Sequence, residues 1–148
     1  MSDIFRFETD SDDPDWTVWE LVEHGRFNSF LGPMRVRRSG GKAIVRMLPV
    51  HPHTNFAGNV HGGLMMGFID CALFAAAYVL TGEASVNSVT LECSTQFLSG
   101  GREDVPLDAV IEVLRETNGF IFQRGVLEQE GAIVASFTGI LRKFPPRP

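Results

Sequence analysis

The sequence predicts an α+β domain in which one long apolar helix is wrapped by a curved antiparallel sheet. Three observations predict it. Residues 62–80 are apolar at almost every position, and a helix that is apolar all round has to be buried. Beyond it the pattern becomes twofold, over residues 86–98, 107–113, 120–128 and 132–144, as half-buried strands require. Turn residues separate those runs: Ser99-Gly100-Gly101, Asn118-Gly119 and Gln129-Glu130-Gly131.

The elements follow in order. Asp3, Glu8, Asp10, Asp12, Asp13 and Asp15 all precede Trp16, and such a run of acids reads as a solvated leader over residues 1–15. Asp13 as N-cap and Pro14 at the first helical position predict a short helix, running to about Glu23 and stopping at Gly25. Residues 34–38 and 43–48 predict two strands joined at Ser39-Gly40-Gly41. Residues 49–60 read as a loop. The central helix starts at Gly62 and is closed by Thr81-Gly82, a length of about 27–29 Å. A single domain over residues 16–144 and a short tail, 145–148, complete the chain.

One sheet covers only part of such a helix. The remaining face, with small residues at Gly67, Ala75, Ala76 and Ala77, suits a second copy of the chain, so a homodimer or a dimer of dimers is expected. Composition narrows the function. The chain has 148 residues, 44% of them apolar, which is enough for one core. A net charge of −5 argues against nucleic acid as a partner. The start lacks the basic and apolar regions of a secretory signal. The apolar run from Leu64 to Leu80 carries Asp70 near its middle and no flanking Lys or Arg between Arg46 and Arg102. An acid at mid-membrane costs roughly 2.5–3.5 kcal/mol, so the run reads as a core helix and no membrane association is expected. Cys71 and Cys93 form no Cys-x-x-Cys pair and read as reduced core thiols, which fits the cytoplasm.

Chemistry gathers around the helix start. Asp70 is a lone acid in an apolar run, which is costly unless the acid is paired or used. It serves either catalysis or structure, held by strand hydroxyls. Gly62 and Gly63 leave the helix N-terminal amides open to a ligand oxygen, where the helix dipole favours negative charge. The same pair would equally let the helix pack closely on a strand. Asp70 follows Gly62 by eight residues, about 12 Å along the axis. Two antiparallel helices would bring Asp70 of one copy to Gly62 of the other, so the spacing predicts a shared site. His51, His53 and His61 have no Cys, Asp or Glu close in sequence to complete a metal site, so no metal is expected. Ser88, Ser94 and Ser99 lie in no nucleophile-elbow pattern. Phe27, Phe30, Phe56, Phe68 and Phe74 lie near the site in sequence and read mostly as core, with an acyl or aryl pocket as the alternative.

Asn55, His61-Gly62-Gly63 and Asp70 keep the spacing of a motif in the PaaI-like acyl-CoA thioesterases, and the segment from Ser88 through Thr90 to Phe97 resembles the strand that carries that family's hydroxyl residue. The resemblance covers residues 16–144. It implies the hotdog fold and hydrolysis of acyl- or aryl-CoA thioesters at a subunit interface, without metal or redox cofactor. By the motif, Asn55 positions the water or the acyl group, Gly62 gives its amide to the thioester oxygen, His61 shapes the loop, and Asp70 is general base or nucleophile. Thr90 or Ser88 supplies the hydroxyl: aligning back from Phe97 selects Thr90, counting forward from Asp70 selects Ser88. Gly63 would assist in substrate binding. The CoA phosphates would meet Arg102, the Arg142-Lys143 pair, or Arg35, Arg37 and Arg38. A hotdog hydratase or dehydratase, and a non-catalytic acyl-CoA binding module, are the alternatives.

Overall fold

The computed structural model describes residues 5–82, 85 and 87–145. The first four residues of the acidic leader, Val86 at the expected start of a strand, and residues 146–148 of the expected tail lie outside the described residues. In chain order the elements are β1 (Phe5–Thr9), β2 (Thr17–Leu21), a one-turn helix α1 (Phe27–Phe30), β3 (Met34–Ser39), β4 (Lys42–Met47), a 3-10 turn (His51–His53), the central helix α2 (Gly62–Thr81), β5 (Ser88–Phe97), β6 (Leu107–Glu116), β7 (Phe120–Gln129) and β8 (Ala132–Lys143). The eight strands form one sheet in the order β1-β2-β3-β4-β6-β7-β8-β5. Every neighbouring pair is antiparallel. This is the architecture the apolar run and the twofold patterns predict.

Helix α2 buries Leu64, Met65, Phe68, Ile69, Cys71, Ala72, Leu73, Ala75, Ala76 and Ala77. By length and a mean hydropathy of 1.9 it could cross a membrane, but 56% of that window is buried inside the domain, as in a core helix. Val36, Val45, Ala109, Ile111, Ile121 and Leu141 form the sheet surface beneath it, all excluded from water. The contact is closest at Leu73. A Cβ on Gly139 of β8 would lie 2.4 Å from Leu73 Cδ1, so the glycine is what lets the helix sit down on the sheet. Gln123 of β7, buried to 1% exposure, donates its amide to the Leu73 carbonyl at 3.1 Å. At the far end the Thr81 hydroxyl donates to the Ala77 carbonyl. Gly82, at φ 93°, then turns the chain out of the helix.

Three expectations are corrected. Ala75, Ala76 and Ala77 do not face outward for a partner; the chain's own sheet covers them fully. The helix expected from Asp13 is a turn followed by β2. Asp13 does cap locally, its carboxylate accepting the Asp15 amide and its carbonyl the Trp16 amide. Thr17, Val18 and Trp19 then pair with Val36, Arg35 and Met34 of β3. β-branched and aromatic residues with cover on both faces favour the sheet over the local helix signal. Trp19 packs with Phe7 and Tyr78 over the end of α2. The guanidinium groups of Arg37 and Arg46 each lie 4.8 Å from the centre of the Trp16 ring. The leader is therefore not solvated throughout, since residues 5–9 form the edge strand β1.

Asp10 ties this segment to the sheet. Its carboxylate accepts the Asp12 and Asp13 amides and pairs with Arg35 at 2.8 Å. The Asp12 amide leads in holding the Asp10 carboxyl below its ordinary 3.8, with the Asp13 amide and Arg35 adding to it against some desolvation. A depressed folded-state value adds stability above 3.8, and that stability is lost as pH falls through the folded value. Asp10→Asn is thus expected to lower Tm at neutral pH, with the gap to wild type closing below pH 3.8; a gap of the same size in acid would contradict the tie. Gly139→Ala is expected to cost about 1–3 kcal/mol in denaturant titration through overpacking against Leu73, whereas Gly119→Ala, with open space around it, should leave stability nearly unchanged.

Candidate active site

The loop before α2 is built from its own polar groups. Asn55 Oδ1 accepts the Ala57 and Asn59 amides at 3.0 and 3.2 Å, while its own amide donates to the Asn59 carbonyl. The side-chain oxygen of Asn55 is therefore occupied in shaping the loop, and Nδ2 is the group left to meet a ligand. His53 is buried and linked three ways. Its Nδ1 accepts the Val50 amide at 3.0 Å and its Nε2 donates to the Phe30 carbonyl at 2.8 Å. Its carbonyl accepts the His61 amide. With both ring nitrogens engaged, His53 is a structural pin. The other candidate metal ligand, His51, sits 3.4 Å from Glu103. Among the described residues no three His, Cys, Asp or Glu side chains converge as a metal would need.

His61 caps α2: its Nδ1 accepts the Gly63 amide at 2.8 Å. An imidazole accepting through Nδ1 carries its proton on Nε2. The Gly63 amide is thereby taken up within the cap. The Gly62 amide is left at the positive end of a 20-residue helix with no partner among the described residues. The Phe97 ring lies over it, and a Cβ on Gly62 would come within 3.3 Å of Phe97 Cζ.

Asp70 lies two turns further along and is half-buried, on the stripe of α2 that also carries Gly63 and Met66 and that the sheet leaves uncovered. Thr90 donates its hydroxyl to Asp70 Oδ1 at 2.5 Å. A bulge puts it there. Between Thr90 and Glu92 the register of β5 against β8 slips by one residue, so Thr90 lies on the helix side together with Cys93, Thr95 and Phe97, which pair with Gly139, Phe137 and Ala135. Bulges recur beside functional groups because they re-aim a side chain. Ser88, the competing hydroxyl, donates instead to the Ser85 carbonyl and is not brought to Asp70. Cys71, next to Asp70 in sequence, is pushed up to about 12, mainly by burial and further by the Asp70 charge. It is an inert thiol at neutral pH. Cys93 is only partly buried, and burial raises its thiol too.

The basic candidates divide between the two ends of β5. Ser88 and Val89 pair with Lys143 and Arg142, while Phe97 pairs with Ala135. Arg102 follows the Phe97 end, roughly 26 Å away at the usual strand rise. Arg102 is paired with Glu130 at the surface, and Lys143, 12% exposed, is paired with Glu116. Arg142 packs on Phe144 at 5.2 Å. Arg35 pairs with Asp10 of the leader, Arg37 and Arg46 lie on the Trp16 ring just beyond it, Arg46 also pairing with Asp108, and Arg38 donates to the Gly40 carbonyl. Sequence reasoning missed the cover that Phe97 lays over Gly62 and the exposure of Phe27 and Phe30, 58% and 51% respectively. A short Phe-x-x-Phe turn outside any periodic run was the available signal.

Comparison with known proteins bears on the fold and the family. A search of curated proteins finds no match. The structure is similar to the E. coli PaaI protein from the phenylacetic acid degradation operon, at 21% identity, covering 79% of this chain and 83% of that one with a TM-score of 0.65. It is also similar to a hypothetical thioesterase from Streptococcus pneumoniae, at 20% identity, 78% and 91% coverage and a TM-score of 0.66. Zebra fish thioesterase superfamily member 2 superposes with a TM-score of 0.72, at 18% identity and 82% and 89% coverage. These likenesses are of fold, and the fold is the hotdog. The sequence profile of the thioesterase superfamily matches residues 57–132, from the loop before the central helix through the last hairpin turn, and by that match the chain belongs to the thioesterase superfamily.

Proposed function

We propose that this protein hydrolyses acyl-CoA thioesters to the free acid and CoA, at a site completed by a second copy of the chain. The observation that carries the reading is the separation of two complementary groups along one stripe. The free Gly62 amide and Phe97 lie at one end of β5. Asp70, held by Thr90, lies toward the other end with Arg142 and Lys143. About 12 Å of helix separates the two groups, too far for one thioester carbon. Pairing two β5 edges antiparallel about their middle would bring the Asp70 end of one copy to the Gly62 end of the other.

Further features support a second copy. Among the described residues β5 is hydrogen-bonded only to β8, which leaves its outer edge open over ten residues. Val89, Leu91 and Phe97 are about half exposed along it. Long apolar edges of this kind invite pairing with another chain. The Streptococcus pneumoniae neighbour was solved with coenzyme A, which supports CoA as the thiol here.

In this reading the thioester oxygen sits on the Gly62 amide, where the helix dipole stabilises the negative charge that develops during attack. Asp70 accepts the proton of a water, or attacks the carbonyl itself. Thr90 donates to Oδ1 and so leaves Oδ2 for that task. Asn55 orients the reacting group through Nδ2, and His61 holds the loop through the Gly63 amide. The leaving group is a thiol with an ordinary pKa near 8.5, so the sulfur departs as thiolate with little help from an acid. Arg142 is the basic residue best free to meet a CoA phosphate. Arg102, in a surface ion pair worth little, can exchange its partner for one.

Thiol release from acyl-CoA, followed with a chromogenic reagent, tests the reaction. Asp70→Asn is expected to lose about 10²–10⁴-fold in kcat, with fold and self-association retained. Thr90→Val is expected to lose roughly tenfold, the worth of one hydrogen bond to a charged group. Sedimentation should show dimers or larger assemblies. A fully active monomer, or turnover undiminished in Asp70→Asn, would sink the shared-site mechanism.

A further inference from the structure

We propose that Phe27, on the one-turn helix α1, sets the size of the acyl group the site accepts. This rests on the hydrolase reading above and adds the element that selects its substrate. The edge of the Phe27 ring rests on α2 at Gly67: a Cβ there would be 2.7 Å from two ring carbons, Cε1 and Cζ. Gly67 is one turn after Gly63 and one turn before Asp70, so the ring stands on the same stripe, between the helix end and the acid.

The turn that carries the ring is held by polar ties rather than by burial. None of the four residues of α1 is buried. The Ser29 hydroxyl donates to the Arg26 carbonyl at 2.6 Å, the Gly32 amide donates to Ser29, and buried His53 donates to the Phe30 carbonyl. Phe30 also meets the His53 ring edge-on, with centroids 4.9 Å apart. Two exposed aromatic rings fixed in this way mark a surface with something to cover.

Beside them is a half-open groove of about 170 Å³, lined by Phe27, Phe30, Pro52, Thr54, His61 and Leu64, that also reaches Gly63. An acyl group whose carbonyl oxygen rests on the neighbouring Gly62 amide would run over Gly63 into it. An apolar cavity of ~150 Å³ holds a benzene-sized ligand, so room here ends at on the order of six carbons. The Phe27 ring forms one wall of this half-open groove, its edge already against the helix where Gly67 lacks a side chain, so a longer chain must displace the ring or run out into water.

The test is kcat/KM for butanoyl-, hexanoyl-, octanoyl- and dodecanoyl-CoA, with calorimetric binding of the matching non-hydrolysable S-alkyl thioethers of CoA. Wild type should fall off beyond hexanoyl. Phe27→Ala should raise the ratio of dodecanoyl to butanoyl at least tenfold in both measurements, and Phe27→Leu, which keeps an apolar cover on Gly67, should shift it the same way by less. Phe56→Ala, fully exposed and outside the groove, should leave the profile unchanged. An unaltered profile in both Phe27 variants overturns the inference and leaves the hydrolase reading intact. Binding that shifts with Phe27 in a protein that hydrolyses nothing overturns the hydrolase reading and keeps this one. Absence of both turnover and binding overturns both.

Discussion

The constraint behind the whole structure is that α2 is apolar on every side and has to be kept from water. A sheet does this by curling round it, and the curl succeeds only where side chains give way. At Gly139 there is no side chain, and Leu73 fills the gap. At Ala75, Ala76 and Ala77 the helix is thin enough for the sheet to close over it completely. The β1–β2 hairpin adds Phe7 and Trp19 around Tyr78 and carries the cover to the end of the helix. What the sheet leaves open is a single stripe, and the polar groups of interest lie on it.

That stripe combines two kinds of polar group. One is backbone: a free amide at the start of a long helix, kept open because its neighbour's amide is satisfied by His61. The other is a carboxylate that a strand hydroxyl holds. Neither depends on a mobile surface side chain. His53 connects this arrangement to the turn that carries Phe27 and Phe30, through its ring to Phe30 and through its carbonyl to His61. One buried histidine therefore ties both the helix cap, through its backbone, and the aromatic turn beside it, through its ring.

The parts of this fold that are written locally were legible in the sequence. The apolar run, the twofold alternation after it and the Asn118-Gly119 and Ser39-Gly40-Gly41 turns all name elements that the structure contains. What was not legible depends on contacts distant in sequence. Asp13-Pro14 has the chemistry of a helix start, and only pairing with Met34, Arg35 and Val36 makes Thr17–Leu21 a strand. Which side of α2 the sheet covers is not contained in its composition, so Ala75, Ala76 and Ala77 were assigned to the wrong face. Gly63 looked as open as Gly62 because the orientation of the His61 ring has no signature in the sequence. For the candidate site, the contact between Asp70 and Thr90 was legible only as a choice between Thr90 and Ser88, since the two share a face of β5 and the point along the strand where Asp70 meets it is set by packing with no local signature.

The register slip in β5 sets unequal rules for change within one strand. Leu91 is the extra residue in the bulge, and its side chain is more than half exposed. Its identity is free to drift among residues that tolerate an edge strand. Even its presence is dispensable to the facing: with Leu91 removed, Glu92 and Thr90 would still oppose Ile140 and Leu141 in plain alternation, and Thr90 would still face the helix. What the strand cannot do is take Leu91 into the ladder. Strict alternation back from Phe97 through Leu91 would turn Thr90 to the other face, and the hydroxyl would lose Asp70. Change passes at the looped-out residue only while it stays looped out.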